Sequence, residues 1–152
     1  MAVTRLGGQD CSSIHKIDHK SRHWLGLVSY YGEDMSATDT AEFFDRYQAA
    51  LLDRDAAQLA TMYSIPSLIL FPGSSIPVTD QAQTERFFTA SFDQYEGVTE
   101  VTHELRIIAE TSHSTWADVT WVYNGRPQER FCYQLLDPEH PQIAVLTPLG
   151  LT

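Results

Sequence analysis

The alternation of apolar and polar positions predicts three helices between residues 39 and 97. Each begins at an aspartate followed three residues later by Glu or Gln, a spacing that resembles the helix capping box. The first helix runs through Leu52, the second ends before Pro66, and the third ends at Gly97. The three capping pairs are Asp39 with Glu42, Asp55 with Gln58, and Asp80 with Gln83.

The other apolar segments have the length and spacing of β-strands. A short run at residues 67–71 stops at Pro72-Gly73, and four strands follow the third helix. Their links are short, which favours antiparallel pairing between neighbours. Helices first and strands later predict an α+β domain, with the helices packed on one face of a curved antiparallel sheet. The four later strands are predicted at residues 99–110, 115–123, 128–136 and 142–147.

Parity along the strand at 115–123 separates an apolar face from a mixed one, because successive side chains point to opposite sides of a sheet. We expect the apolar set to face the helices and a pocket, although Trp121 and Tyr123 also fit a plain hydrophobic core. The mixed set suits a dimer interface or a partly solvent-exposed surface of the sheet. The apolar set is Ala117, Val119, Trp121 and Tyr123, and the mixed set is Trp116, Asp118, Thr120 and Val122.

The strand at 128–136 has two faces, and either can point inward, because Arg126-Pro127 interrupts the pattern just before it. Arg130 and Gln134 share one face with Cys132, while Tyr133 lies on the other face with Phe131. If the first face lines the pocket, Arg130 and Gln134 become its polar anchors and suit a carboxylate or carbonyl ligand. The alternative is that Arg130 pairs with an acidic side chain on the surface.

Charge divides the chain at residue 34. The 152 residues carry 10 Lys+Arg and 20 Asp+Glu, a net charge of −10, yet residues 1–34 hold four of each and are neutral. This acidity argues against a nucleic-acid partner or an anionic membrane surface, both of which need clustered Lys and Arg. Two cysteines, Cys11 and Cys132, fit a reducing compartment, so we expect a cytoplasmic protein.

We therefore predict that residues 1–34 form an N-terminal extension outside the fold and that the domain spans residues 35–152. Within the extension, His15, His19 and His23 recur every four residues, and a pair at that spacing on a helix can share a metal ion. The alternative is a chance spacing in a solvated tail, which we prefer, so no metal site is predicted. No cofactor is predicted either, since residues 35–152 contain no Gly-rich phosphate loop and no Cys/His metal spacing.

The order of elements over residues 39–149 resembles the nuclear transport factor 2-like superfamily, which includes ketosteroid isomerase and the SnoaL-like polyketide cyclases. The resemblance implies a cystatin-like curved sheet that forms a cone, with three helices on its concave side, an apolar pocket, and a homodimer formed through the sheet face. Local likenesses accompany the order of elements: Arg46-Tyr-Gln-Ala-Ala-Leu51, Asp55, Phe71-Pro-Gly73 and Thr102-His-Glu-Leu-Arg106.

The same resemblance limits the chemistry. Ketosteroid isomerases use a tyrosine of the first helix as an oxyanion donor, and Tyr47 aligns with it. Their catalytic base is a carboxylate just before a proline, a place that Phe71 holds here, and their second donor falls near Gln134. Loss of the base argues against proton shuttling of that type.

Three functions stay open. The first, which we favour, is a binding or accessory module that holds a small apolar or aromatic molecule. The second is a cofactor-independent cyclase, dehydratase or isomerase with Tyr47 as donor and His103 as base, since a histidine titrates near neutrality; His103 also fits a hydrogen-bonded core residue. The third is an interaction domain that uses the exposed sheet face. Candidate pocket-lining residues are Tyr47, Tyr63, Phe71, His103, Val119, Trp121, Arg130, Tyr133 and Gln134.

Overall fold

The computed structural model describes residues 37–151. The predicted extension at 1–34 and its three histidines lie outside the described residues and stay predictions. None of the helices in the described part of the chain is long and apolar enough to cross a membrane. The helices are α1 (Ala37–Leu52), α2 (Ala56–Thr61) and α3 (Gln81–Ser91), and the strands are β1 (Tyr63–Phe71), β2 (Ser74–Val78), β3 (Val101–Glu110), β4 (Ser114–Tyr123), β5 (Arg126–Leu136) and β6 (Gln142–Pro148).

Two of the three predicted aspartate caps begin a helix, whereas α1 begins at Ala37, so Asp39 lies inside its first turn and the predicted cap there is wrong. The Asp55 carboxylate accepts a hydrogen bond from the Gln58 backbone N–H at 2.9 Å, and Asp80 does the same for Gln83 at 2.8 Å. Each bond satisfies a backbone donor that has no partner inside the helix. The third helix passes into a short 3-10 turn at Phe92–Tyr95, and the chain then reverses at Gly97, whose φ of +80° suits glycine.

The six strands form one curved sheet in the order β2-β1-β6-β5-β4-β3. All neighbours pair antiparallel except β1 and β6, which run parallel, so the sheet is mixed rather than wholly antiparallel. Strand β2 was not predicted because two serines and Pro77 break its apolar pattern. It lies at the edge of the sheet, where a residue without a backbone N–H is tolerated. The predicted α+β class, with helices packed on a curved sheet, is confirmed.

A bulge at the start of β5 fixes which of its faces points inward. Trp121 pairs with Glu129 but Val122 pairs with Pro127, so Gln128 has no partner in the ladder. Beyond the bulge, Tyr133 lies opposite Ala117, a buried residue of the inner face. The inner set of β5 is therefore Glu129, Phe131, Tyr133 and Leu135, and the outer set is Arg130, Cys132, Gln134 and Leu136.

The core lies between the helices and the inner face of the sheet and is rich in aromatic side chains. Phe44 of α1 is at its centre, with ring contacts to both β4 and β5. The inner face of β4 is buried as predicted: Ala117, Val119, Trp121 and Tyr123 all belong to the core. This packing leaves a space between α1, α3 and the sheet, where the candidate site lies.

Candidate functional site

A cavity of about 240 Å³ lies between the helices and the inner face of the sheet. Its wall includes two small or amide polar side chains, those of Ser91 and Gln94. Three lining residues are aliphatic: Leu51, Ile69 and Leu146. The rest of the wall is aromatic except for one carboxylate, that of Glu129. The aromatic lining residues are Tyr47, Tyr63, Phe71, Phe87, Phe88, Tyr95, Trp121, Tyr123, Phe131 and Tyr133.

Two hydrogen-bonded pairs occupy the buried side of this wall. The hydroxyl groups of Tyr47 and Tyr63 are 2.9 Å apart. The indole N–H of Trp121 donates to the Tyr133 hydroxyl, also at 2.9 Å. Burial raises the pKa of all three tyrosines above the ordinary value of a phenol, so they stay protonated at neutral pH.

A count of protons shows what these pairs can still bind. One hydroxyl proton of the Tyr47–Tyr63 pair is used in their mutual bond, which leaves the other proton without an acceptor among the described residues. The Tyr133 oxygen accepts from Trp121, so its own proton is likewise unused. The cavity therefore offers O–H donors to a bound molecule.

The carboxylate of Glu129 is held at the other end of the wall by two tyrosines. Tyr123 donates to its Oε2 at 2.7 Å and Tyr95 donates to the same oxygen at 3.4 Å. Burial, together with the negative charge of Glu129, raises the pKa of both phenols. Arg54 positions Tyr95, since its guanidinium donates to the carbonyl oxygens of Tyr95 and Val98, both at 2.9 Å.

Five of the nine predicted lining residues come together in this cavity: Tyr47, Tyr63, Phe71, Trp121 and Tyr133. The other four lie elsewhere. Val119 faces the helices but is packed inside the core. Arg130 and Gln134 are on the outer face of β5, because the bulge turns Glu129 and Tyr133 inward instead.

His103 is a packed residue between β3 and α1 rather than part of the cavity. Its Nδ1 lies 2.7 Å from Oε1 of Gln48, and its Nε2 lies 3.9 Å from the Asp45 carboxylate. The ring contacts Phe44 and Trp121, and burial lowers the pKa of the imidazole. The predicted donor–base pair of Tyr47 and His103 is therefore not assembled around one space.

Arg130 forms an ion pair on the outer face of the sheet, which agrees with the alternative prediction that it pairs with an acidic side chain at the surface. Its guanidinium donates to both carboxylate oxygens of Asp118, at 2.9 and 2.7 Å, and Arg106 donates to the same carboxylate at 2.8 Å. These hydrogen bonds lower the pKa of Asp118 to about 2, although its burial opposes the shift. The pair is a structural feature of the sheet, and the cavity lacks the cationic anchor that the sequence suggested.

Glu129, Tyr95 and Tyr123 were not predicted from the sequence as a group. Glu129 alternates along the strand with Phe131 and Tyr133, and this spacing could have predicted that all three share one face. Tyr95 and Tyr123 are 28 residues apart, so only the fold brings them together.

Comparison with known proteins supports the fold. Neither a protein-family model nor a curated protein matches the chain. Among solved structures, a cystatin-like domain of unknown function from Nostoc punctiforme is 14% identical, with a TM-score of 0.56 over 77% of this chain and 80% of the other. A protein of unknown function from Pectobacterium atrosepticum is 16% identical, with a TM-score of 0.56 over 78% and 95% of the two chains.

A designed protein is also similar. A de novo designed protein with a curved β-sheet is 12% identical, with a TM-score of 0.52 over 73% of this chain and 99% of its own. The fold of the described domain is therefore cystatin-like. Similarity at this level of identity extends to the fold alone, since unrelated functions share one architecture.

Proposed function

We propose that this domain is a nuclear transport factor 2-like binding module that holds a small, mostly apolar ring compound in the aromatic cavity. The observation that carries the proposal is the cavity itself, with its aromatic wall and unused hydroxyl protons. Pockets that bind small molecules are mostly apolar, with a few placed polar groups that orient the ligand. The inner face of this sheet has that composition.

The volume of the cavity indicates the size of the ligand. An engineered apolar cavity of about 150 Å³ binds benzene. A space of about 240 Å³ therefore suits one aromatic ring with a short side chain, or two small fused rings. The free hydroxyl proton of the Tyr47–Tyr63 pair would donate to an acceptor atom of that molecule where it has one, and otherwise to the π face of its ring.

The residues at the two candidate positions for a catalytic base favour binding over catalysis. In the isomerases that the sequence resembles, this place holds the catalytic carboxylate, whereas here an aromatic ring forms part of the cavity wall. His103, the other candidate base, has both ring nitrogens directed at residues of α1. The described residues thus support a pocket that retains its ligand without moving protons between carbon atoms.

Filling the cavity tests the proposal. Ser91→Phe adds a ring at the cavity wall on α3, and we expect it to abolish binding of ethylbenzene and indole as probes. The matched control, Ala90→Phe, adds the same ring at an exposed neighbouring position and should bind as wild type. A probe at 100 times its Kd stabilises the folded protein by about 2.7 kcal/mol, so a thermal-shift assay detects it. Equal shifts in wild type and Ser91→Phe would contradict a site in this cavity.

We also propose that the domain forms a homodimer through the outer face of the sheet. That face carries half-buried Trp116 and Val122 around the ion pair of Asp118, a mixed composition that suits a partly polar interface. Light scattering should give a mass near twice 17.2 kDa. Trp116→Arg should shift the protein towards the monomer, whereas a monomeric wild type at micromolar concentration would refute the dimer.

A further inference from the structure

The charge of the cavity indicates which class of molecule it takes. We infer that the ligand carries a protonated amine or a similar cationic nitrogen, which binds the carboxylate of Glu129 while its ring lies in the aromatic cavity. The inference rests on the proposed function, since it describes the ligand of the same site. Such a ligand is opposite in charge to the carboxylate that the sequence suggested for the case in which Arg130 faces the pocket.

The carboxylate of Glu129 is only partly used by the protein. Both phenol donors, Tyr123 and Tyr95, bind the same oxygen, Oε2. The other oxygen, Oε1, has no hydrogen-bond donor among residues 37–151, and Glu129 makes no ion pair with them. A carboxylate can accept about four hydrogen bonds. Glu129 therefore has both a fixed position and spare acceptor capacity beside the cavity.

The basic side chains near Glu129 leave its charge available. Arg54 is bound to backbone carbonyl oxygens of the turn that carries Tyr95. Arg130 is held by Asp118 on the opposite face of the sheet. Arg126 and Glu129 both line an outer recess next to the cavity, but no ion pair joins them within the described residues. An anionic ligand would thus meet a carboxylate that has no ion-pair partner among the described residues, and a cationic ligand would pair with it.

The surroundings of Glu129 strengthen this preference. Tyr95, Tyr123 and Phe131 line the cavity with it, and aromatic rings attract ammonium groups through their π faces. An apolar wall also lowers the local dielectric constant, which strengthens the attraction between opposite charges. Glu129 lines the outer recess as well as the cavity, so the charged end of a ligand can keep contact with water while its ring is buried.

Three probes of similar shape but different charge test whether the cavity prefers a cationic ligand. Phenethylamine, 2-phenylethanol and phenylacetate each carry one phenyl ring on a short chain and are cationic, neutral and anionic at pH 7. We expect wild type to bind the amine about tenfold more tightly than the alcohol, or more, because a charge-assisted hydrogen bond replaces a neutral one. Phenylacetate should bind most weakly. Calorimetric titration measures all three.

The variant Glu129→Gln removes the charge and keeps the shape of the side chain, and its amide oxygen can still accept from Tyr123. We expect it to bind the amine and the alcohol about equally. Glu139→Gln changes the net charge by the same amount at an exposed position in the link between β5 and β6, and should retain the wild-type order.

The outcomes separate the two proposals. If the alcohol binds wild type as tightly as the amine, the inference about charge is overturned while the binding function stands. The same holds if Glu129→Gln keeps the preference for the amine. If none of the three probes binds wild type and ethylbenzene and indole also fail, the proposed function itself is overturned. The order of affinities in wild type needs no variant, so a poorly folded Glu129→Gln leaves the test intact.

Discussion

Replacing Phe44 with alanine should lower the free energy of unfolding by about 3–5 kcal/mol, the range for removing a fully buried phenylalanine. Phe44 has 0% of its surface exposed. Its ring centroid lies 5.1 Å from that of Tyr133 and 6.4 Å from that of Trp121, so the side chain joins α1 to two strands. Neighbours in a well-packed core relax only partly, and the space left behind adds to the lost burial. Urea denaturation followed by circular dichroism gives the value.

Phe87→Ala is the matched control for this prediction. Phe87 lines the cavity from α3 but is 45% exposed, so its truncation removes far less buried surface. We expect a loss of about 1–2 kcal/mol, because only about half of this side chain is buried and fully burying a phenylalanine is worth about 1.5–3 kcal/mol. Similar losses in the two variants would mean that the α1–sheet contact is not the centre of the core.

Local signals predicted the helices and most of the strands. The caps at Asp55 and Asp80 act on backbone groups three residues away, so the signal for these two helix starts is local in the sequence. The inner face of β4 was likewise predictable, because Trp121 and its alternate neighbours form an unbroken apolar set with a period of two.

The charge of the cavity could not be predicted from local sequence signals, because it depends on one bulge. The unpaired Gln128 sets the register of β5 against β4, which puts Glu129 and Tyr133 inside and Arg130 outside. A shift of one residue exchanges the two faces of a strand. Since Arg126-Pro127 allowed either register, the sequence could not separate an acidic pocket from a basic one.

The fold itself also leaves the ligand undetermined. A similar curved sheet occurs in a de novo designed protein, and one architecture can carry many unrelated functions. The ligand depends on the side chains placed on the inner face, above all the carboxylate of Glu129 beside Tyr95 and Tyr123. The ligand is therefore set by the site and not by the architecture.

The ion pair on the outer face should account for about 2 kcal/mol of stability at pH 7, and Asp118→Asn should remove it. The Asp118 side chain is only 6% exposed, and it accepts two hydrogen bonds from Arg130 and one from Arg106. Arg130 also donates to the carbonyl oxygen of Gly150, so loss of the pair should loosen the end of the described chain. Asp45→Asn, at a carboxylate that is 70% exposed, is the matched control and should cost less than about 1 kcal/mol.

The effect of Asp118→Asn should depend on pH in a definite direction. The pKa of Asp118 is lowered to about 2 in the folded protein, whereas an unfolded aspartate titrates near 3.9. The stability from the ion pair is therefore fully present above about pH 4 and is lost as the pH falls towards about 2. Denaturation curves should show a constant difference between wild type and Asp118→Asn from pH 7 to pH 5, which shrinks through pH 4 to pH 2. A difference that stayed constant down to pH 2 would mean that the asparagine acts through packing, and that the charges of Arg130 and Arg106 contribute nothing to the folded sheet.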